Sequence, residues 1–257
     1  MSDSSPPPTF IVGSGRSGTT LLRLMLDAHP NISCGPETHF LGDLRHIVGE
    51  HWNLLSRYGF DKAYWHDKIR HFFASFKEDY MEQRGKQRWV EKTPWYVRYL
   101  DFLDDVFEDC LIIHIIRNGY DVVRSWKDRS GYMQALKSAW TGWEDSIRQA
   151  RAFGRTHPER FHELRYEDLV TAPEPTIRAV LSFMDEPWDP VVVNYDEADH
   201  DVADQYWDLT ESRRKEQSES SKIYASRIGT GKDDLDPGLR TTLRMRSGDL
   251  LKELGYE

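Results

Sequence analysis

The 257-residue chain carries 34 lysines and arginines against 43 aspartates and glutamates, a net charge of −9. That length suits one α/β domain with room for a substrate-covering insertion, and excludes two domains of equal size. The acidic balance argues against nucleic acid as a partner but leaves room for a phosphate-sized basic pocket. Residues 1–8 read as a disordered N-terminus, polar, with a proline triplet and without the basic start and apolar run of a signal peptide. The longest buried-looking run, 111–116, is far too short to cross a bilayer, so a cytoplasmic protein without a membrane partner is expected. Cys34 and Cys110 read as packing residues in a reducing compartment, and no Cys/His spacing resembles a zinc site.

A short strand from Thr9 runs through Gly13-Ser14-Gly15-Arg16-Ser17-Gly18-Thr19-Thr20 into an amphipathic helix that ends at His29-Pro30. Gly13 and Gly18 have the G-x-x-x-x-G spacing that aims successive backbone N–H groups at an anion, backed by a helix N-terminus. Thr19 stands where a nucleoside-triphosphate loop places its lysine, which leaves Arg16 as the cation inside the turn. The competing reading is an ordinary strand-turn-helix unit without a ligand. Residues 31–38 follow as a loop. Helical spacing begins near Thr38 with Phe40, Leu41, Leu44, Ile47 and Val48, and resumes with Trp65, Ile69, Phe72, Phe73, Phe76 and Tyr80. These stripes read as core, in a helical insertion over about 36–87 placed between the first and second strands.

Arg88-Trp89-Val90-Glu91-Lys92-Thr93-Pro94 reads as a brief strand ending in a polar turn, followed by a helix over 96–107. Residues 111–116 are the clearest buried strand, with His114 read as a hydrogen-bonded core residue. A helix over 120–127, a long helical pattern over 133–153, a strand over 160–166 and a proline-bounded helix over 176–184 complete an alternation that means a parallel sheet. An irregular lid is expected over about 185–232, ending in the glycine-basic stretch Ser226-Arg227-Ile228-Gly229-Thr230-Gly231-Lys232, and a terminal helix over 237–254. Arg117 at a strand end, with Ser125 eight residues on and Arg129 one turn further, suits a second phosphate. An ATPase would end that strand in a metal-binding aspartate, not Arg117-Asn118.

Together these motifs resemble the PAPS-dependent sulfotransferases, whose donor is 3′-phosphoadenosine 5′-phosphosulfate. Gly15-Arg16-Ser17-Gly18-Thr19-Thr20-Leu21 is similar to the family's 5′-phosphosulfate loop, and Arg117 with Ser125 to its 3′-phosphate motif. Glu91-Lys92-Thr93-Pro94 and Arg165-Tyr166-Glu167-Asp168-Leu169 are similar to bacterial members, and Asp27-Ala28-His29-Pro30 with Cys34-Gly35-Pro36-Glu37-Thr38 to the tyrosylprotein sulfotransferase branch. The resemblance implies an α/β fold, a P-loop-like parallel sheet flanked by helices, making one sulfotransferase domain over 9–257. It implies PAPS as donor co-substrate, no metal, and Gly15, Arg16, Ser17, Gly18, Thr19, Thr20, Arg117, Ser125, Arg129, Tyr166, Arg227 and Lys232 as donor-binding residues.

By the same resemblance Glu37 is the base, with Lys92 neutralising the departing oxygen, and His39 is the rival base where that branch has an arginine. The plain structural readings are a helix N-terminal carboxylate for Glu37 and a surface turn lysine for Lys92. The acceptor is a hydroxyl compound, a phenol, a sugar, a natural-product alcohol or a peptide tyrosine. The alternatives are a P-loop small-molecule kinase and a catalytically silent nucleotide-binding module.

Overall fold

The computed structural model describes residues 6–197 and 228–257. Among these, β1 (Thr9–Gly13), β2 (Ile32–Cys34), β3 (Arg88–Lys92), β4 (Leu111–Ile116) and β5 (Phe161–Arg165) form one parallel sheet in the order β2-β3-β1-β4-β5. The helices are α1 (Thr19–Ala28), α2 (Leu41–Glu50), α3 (Trp52–Leu55), α4 (Lys62–Gln83), α5 (Leu100–Val106) and α6 (Gly119–Ser130). They continue with α7 (Tyr132–Lys137), α8 (Trp143–Thr156), α9 (Tyr166–Thr171), α10 (Pro173–Phe183), α11 (Gly231–Asp234) and α12 (Pro237–Glu253).

The central strands are apolar because both faces are covered, and their alternate residues divide between two cores. Ile11, Ile113 and Ile115 pack with α1, α9 and α10. Phe10, Val12 and Ile112 pack with the aromatic residues of α4 and α5. A third cluster joins α6, α7, α8 and α12. After β1 the chain turns toward β2, whereas after β4 it turns toward β5. The carboxyl ends of these neighbours therefore open a crevice, the usual place for a ligand in such sheets.

The expected parallel sheet is present, with four corrections at its margins. Residues 31–38 are not all loop, since Ile32–Cys34 forms edge strand β2. Its position is fixed by Asp27, which accepts from the Cys34 N–H at 2.8 Å and from both Arg84 terminal nitrogens at 2.5 and 3.0 Å. The helical insertion consequently lies between the second and third strands. Next, α2 starts at Leu41, not near Thr38, because the Thr38 N–H and hydroxyl are taken by Glu91. The expected helix over 96–107 divides into a 3-10 turn, Pro94–Tyr99, and α5. Finally, the pattern over 133–153 divides into α7, a π-helical segment, Ser138–Gly142, and α8.

The Pro8 carbonyl already accepts from the Leu111 N–H at 2.8 Å, so the chain is anchored before β1 begins. Of the expected lid, residues 198–227 lie outside the described residues. Its first part does not stand over the crevice. Val192 and Tyr195 are buried in the core beside α1.

Candidate active site

The first glycine turn closes with the Ser17 N–H on the Ser14 carbonyl at 3.2 Å. Gly18 has φ 94°, and a Cβ there would lie 2.3 Å from the Tyr166 ring, so conformation and close approach both demand glycine. Arg16 takes the left-handed φ of 73°, which costs an L-residue about 1–2 kcal/mol. Its Nε donates to Ser125 Oγ at 3.0 Å, a contact that ties this strained residue to α6. No side chain caps α1, whose first-turn N–H groups face the turn. Ser17 is 1% exposed and its hydroxyl lacks a partner among the described residues. An orphaned buried hydroxyl beside uncapped helix amides fits a phosphate group.

The second set comes from the end of β4. Arg117 is buried, its Nη1 donates to the Arg16 carbonyl at 3.3 Å, and its guanidinium lies 4.3 Å from the Tyr166 ring centre. Arg117, Ser125, Tyr166 and the turn over 15–18 are thus brought together. Thr19 is buried at the start of α1 and Thr20 is exposed beside it. Arg129 is exposed in the last turn of α6. Lys232 is exposed with its ammonium 5.9 Å from the Tyr120 ring centre, and Arg227 lies outside the described residues.

Sequence reasoning missed Asp121. Its carboxylate accepts from the Gly229 and Gly231 N–H groups at 2.9 and 2.7 Å, and its Oδ2 lies 4.0 Å from Arg117 Nε. Asp121 therefore moors the C-terminal glycine stretch beside Arg117. The signal was an acidic residue in the first turn of the helix that follows Arg117.

The third set stands at the end of β3. Lys92 Nζ donates to Glu37 Oε1, and His39 Nε2 is 3.1 Å from Glu37 Oε2. Both rival bases and the lysine therefore meet. Neither plain structural reading survives. Glu37 lies four positions ahead of the first residue of α2, and Lys92 is 4% exposed, not a surface residue.

Beneath them a buried network, also missed, holds the 37–39 loop. Glu91, fully buried, accepts from Lys77 Nζ at 2.9 Å, the Thr38 N–H at 3.2 Å, Thr38 Oγ1 at 3.1 Å and Thr93 Oγ1 at 2.6 Å. Burial, with the Glu91 charge beside it, pushes the Tyr96 phenol above its ordinary range. Tyr96 stays protonated, its oxygen accepting from the Leu41 N–H and lying 2.8 Å from Thr38 Oγ1. Lys77 was the available signal, a lone cation on the buried side of an aromatic helix.

The family model described as "Sulfotransferase family" matches residues 7–190. The chain belongs to the sulfotransferase family. Protein-tyrosine sulfotransferase A of Caenorhabditis elegans is 29% identical over 208 residues, covering 74% of this chain and 53% of the worm protein. The chain spans about half the length of the curated relatives it matches.

Among solved structures, the sulfotransferase domain from the Synechococcus PCC 7002 olefin synthase aligns with a TM-score of 0.71 at 23% identity, covering 100% of this chain and 98% of that one. A mouse sulfotransferase complexed with PAP aligns with a TM-score of 0.57 at 13% identity, covering 98% and 90%. At these identities the likeness is one of fold.

Proposed function

We propose that this chain transfers the sulfuryl group of PAPS to an acceptor hydroxyl, with Glu37 as base. The observation that carries this reading is the joining of two cation sets across the β1–β4 crevice. Arg16 donates to Ser125 while Arg117 donates to the Arg16 carbonyl, so the residues suited to a 5′-phosphate and to a 3′-phosphate are held as one unit. The PAP named with the mouse sulfotransferase, adenosine 3′,5′-bisphosphate, carries phosphates at both these positions.

When bound, PAPS supplies a sulfuryl group whose bond to the bridging phosphate oxygen breaks as the acceptor oxygen bonds to sulfur, releasing PAP. Backbone N–H groups over 14–20 hold the 5′-phosphate, and Arg117 and Ser125 the 3′-phosphate. Arg16 and Lys92 offset charge on the departing oxygen. A Glu37 carboxylate oxygen accepts the acceptor's proton. Lys92 orients that carboxylate through its contact with Oε1. The acceptor is a hydroxyl compound, and the relatives' names make peptide tyrosine one candidate beside phenols, sugars and natural-product alcohols. Against the small-molecule kinase stand Thr19 at the lysine position and Arg117-Asn118 at the aspartate position.

The test is transfer of label from ³⁵S-PAPS across a panel of hydroxyl acceptors. Glu37→Gln is expected to lower turnover by about 10²- to 10⁴-fold while leaving PAP affinity nearly intact. Undiminished turnover would move the base to His39.

A further inference from the structure

At the junction of β5 and α9, Arg165, Tyr166 and Glu167 reach toward three different parts of the chain. Tyr166 lies against Gly18 and Arg117. Arg165 Nη1 donates to the Leu254 carbonyl at 2.9 Å, and its guanidinium stands 5.3 Å from the Tyr256 ring centre. Glu167 is a bridge. Its Oε1 accepts from the Asn118 N–H at 2.9 Å and its Oε2 from the Tyr256 hydroxyl at 3.1 Å. Burial, with the Glu167 charge beside it, pushes the Tyr256 phenol above its ordinary range, so the hydroxyl stays protonated and donates.

Asn118 is the N-cap of α6, its Oδ1 accepting from the Tyr120 N–H at 3.0 Å. In a capping box the third residue of the helix sends its side chain back to the N-cap N–H. In α6 that residue is Asp121, whose carboxylate is taken up by the Gly229 and Gly231 N–H groups. Glu167 supplies the missing acceptor from another element. The preceding carbonyl, that of Arg117, accepts from Nε1 of the buried Trp143 at 2.9 Å. The peptide that follows Arg117 is therefore held at both of its polar groups, by Trp143 and by Glu167.

We propose that Glu167, clasped by Tyr256, is a positioning residue for the 3′-phosphate grip: by completing the α6 cap it fixes Arg117 at the crevice and leaves Asp121 to moor the glycine segment. This rests on the donor reading above and names what sets its preference for a 3′-phosphate. Without Glu167 the Asn118 N–H loses its acceptor, and Asp121 is the carboxylate placed in the same helical turn to replace it. Turning back to Asn118, Asp121 would release Gly229 and Gly231, so both sides of the grip loosen together. The 5′-phosphate loop keeps its own closing bond, from the Ser17 N–H to the Ser14 carbonyl.

The test compares PAP with adenosine 5′-monophosphate, which lacks only the 3′-phosphate, by calorimetric titration. Glu167→Ala is expected to weaken PAP about tenfold, the usual strength of a hydrogen bond to a charged group, and to leave the monophosphate unchanged. Glu167→Gln, which keeps an accepting oxygen, is expected to restore most of the PAP affinity. Tyr256→Phe, a milder change should Glu167→Ala not fold, is expected to weaken PAP about threefold. A second readout needs no nucleotide. Exchange of the Gly229 and Gly231 amide protons, followed by NMR, is expected to quicken in Glu167→Ala, less so in Tyr256→Phe, and to stay slow in Glu167→Gln. Equal losses for both nucleotides, or an undiminished PAP affinity, would overturn the proposal. So would amide exchange that neither Glu167→Ala nor Tyr256→Phe alters. Failure of the donor reading is distinct: the unaltered protein would bind the two nucleotides alike.

Discussion

Glu91 shows how much of this site is decided one residue below the chemistry. It is fully buried, its one cationic hydrogen-bond partner among the described residues is Lys77, and its other bonds fix Thr38 and Thr93, the neighbours of Glu37 and Lys92. Removing one member of a buried ion pair costs about 3–5 kcal/mol, because the other charge is left uncompensated. Glu91→Gln is therefore expected to lower the urea midpoint and to lower turnover, with little change in PAP affinity. Adding Lys77→Met removes the stranded ammonium. If Glu91 positions the 37–39 loop, the pair regains stability without regaining turnover; recovery of both together would leave Glu91 a purely structural role. Glu37 and Lys92 stood out because the motifs around them are distinctive, and the fold brings the two side chains together. Glu91 stands in the same motif and was passed over, since its role depends on Lys77, fourteen residues earlier.

Elements whose identity rests on their own residues were legible in the sequence. The unbroken apolar run of β4 and the glycine turn before α1 needed no tertiary contact to be recognised. Those shaped by distant partners were not. The three residues of β2 owe their position to Asp27, Arg84 and Lys86, and the break at Ser138–Gly142 leaves no mark in the aromatic spacing.

The β4–β5 pair was half legible. His114 is the hydrogen-bonded core residue expected, but its partner, Glu163, comes from the register that sets the two side by side. Burial works against the Glu163 charge, yet hydrogen bonds from His114 and Arg151 outweigh it and hold the pKa down to about 2. Burial also lowers the His114 pKa below its ordinary 6.5.

Both shifts have the same consequence, because in each case the unfolded chain takes up the proton first as pH falls. The Glu163 contribution is present above about 4.5 and is lost as pH falls toward about 2. The His114 contribution begins to fade below about 6.5. The urea midpoint is expected to fall between pH 7.5 and pH 5, and to fall less steeply in His114→Gln. Identical slopes would show that His114 does not contribute.

At the scale of the whole molecule, the strand order turns separate motifs into one site. The chain leaves β1 and β4 in opposite directions, so the glycine turn and Arg117, about a hundred residues apart in sequence, border the same crevice. The crevice is also where an acidic chain concentrates positive charge: Arg16, Arg117 and Lys92 gather at the carboxyl edge of the sheet. Family membership was legible in the motifs. The attachment of Gly229 and Gly231 to Asp121 was not, because it depends on the fold returning a distant segment to the start of α6.

Selection of a bisphosphorylated adenylate by two joined anion grips is the central claim, and calorimetric titration of PAP against ADP tests it most directly. The unaltered protein is expected to bind PAP more tightly than ADP with or without Mg²⁺, and Arg117→Ala to weaken PAP while leaving ADP nearly unchanged. Equal affinity for the two nucleotides, or an equal loss of both in Arg117→Ala, would contradict it.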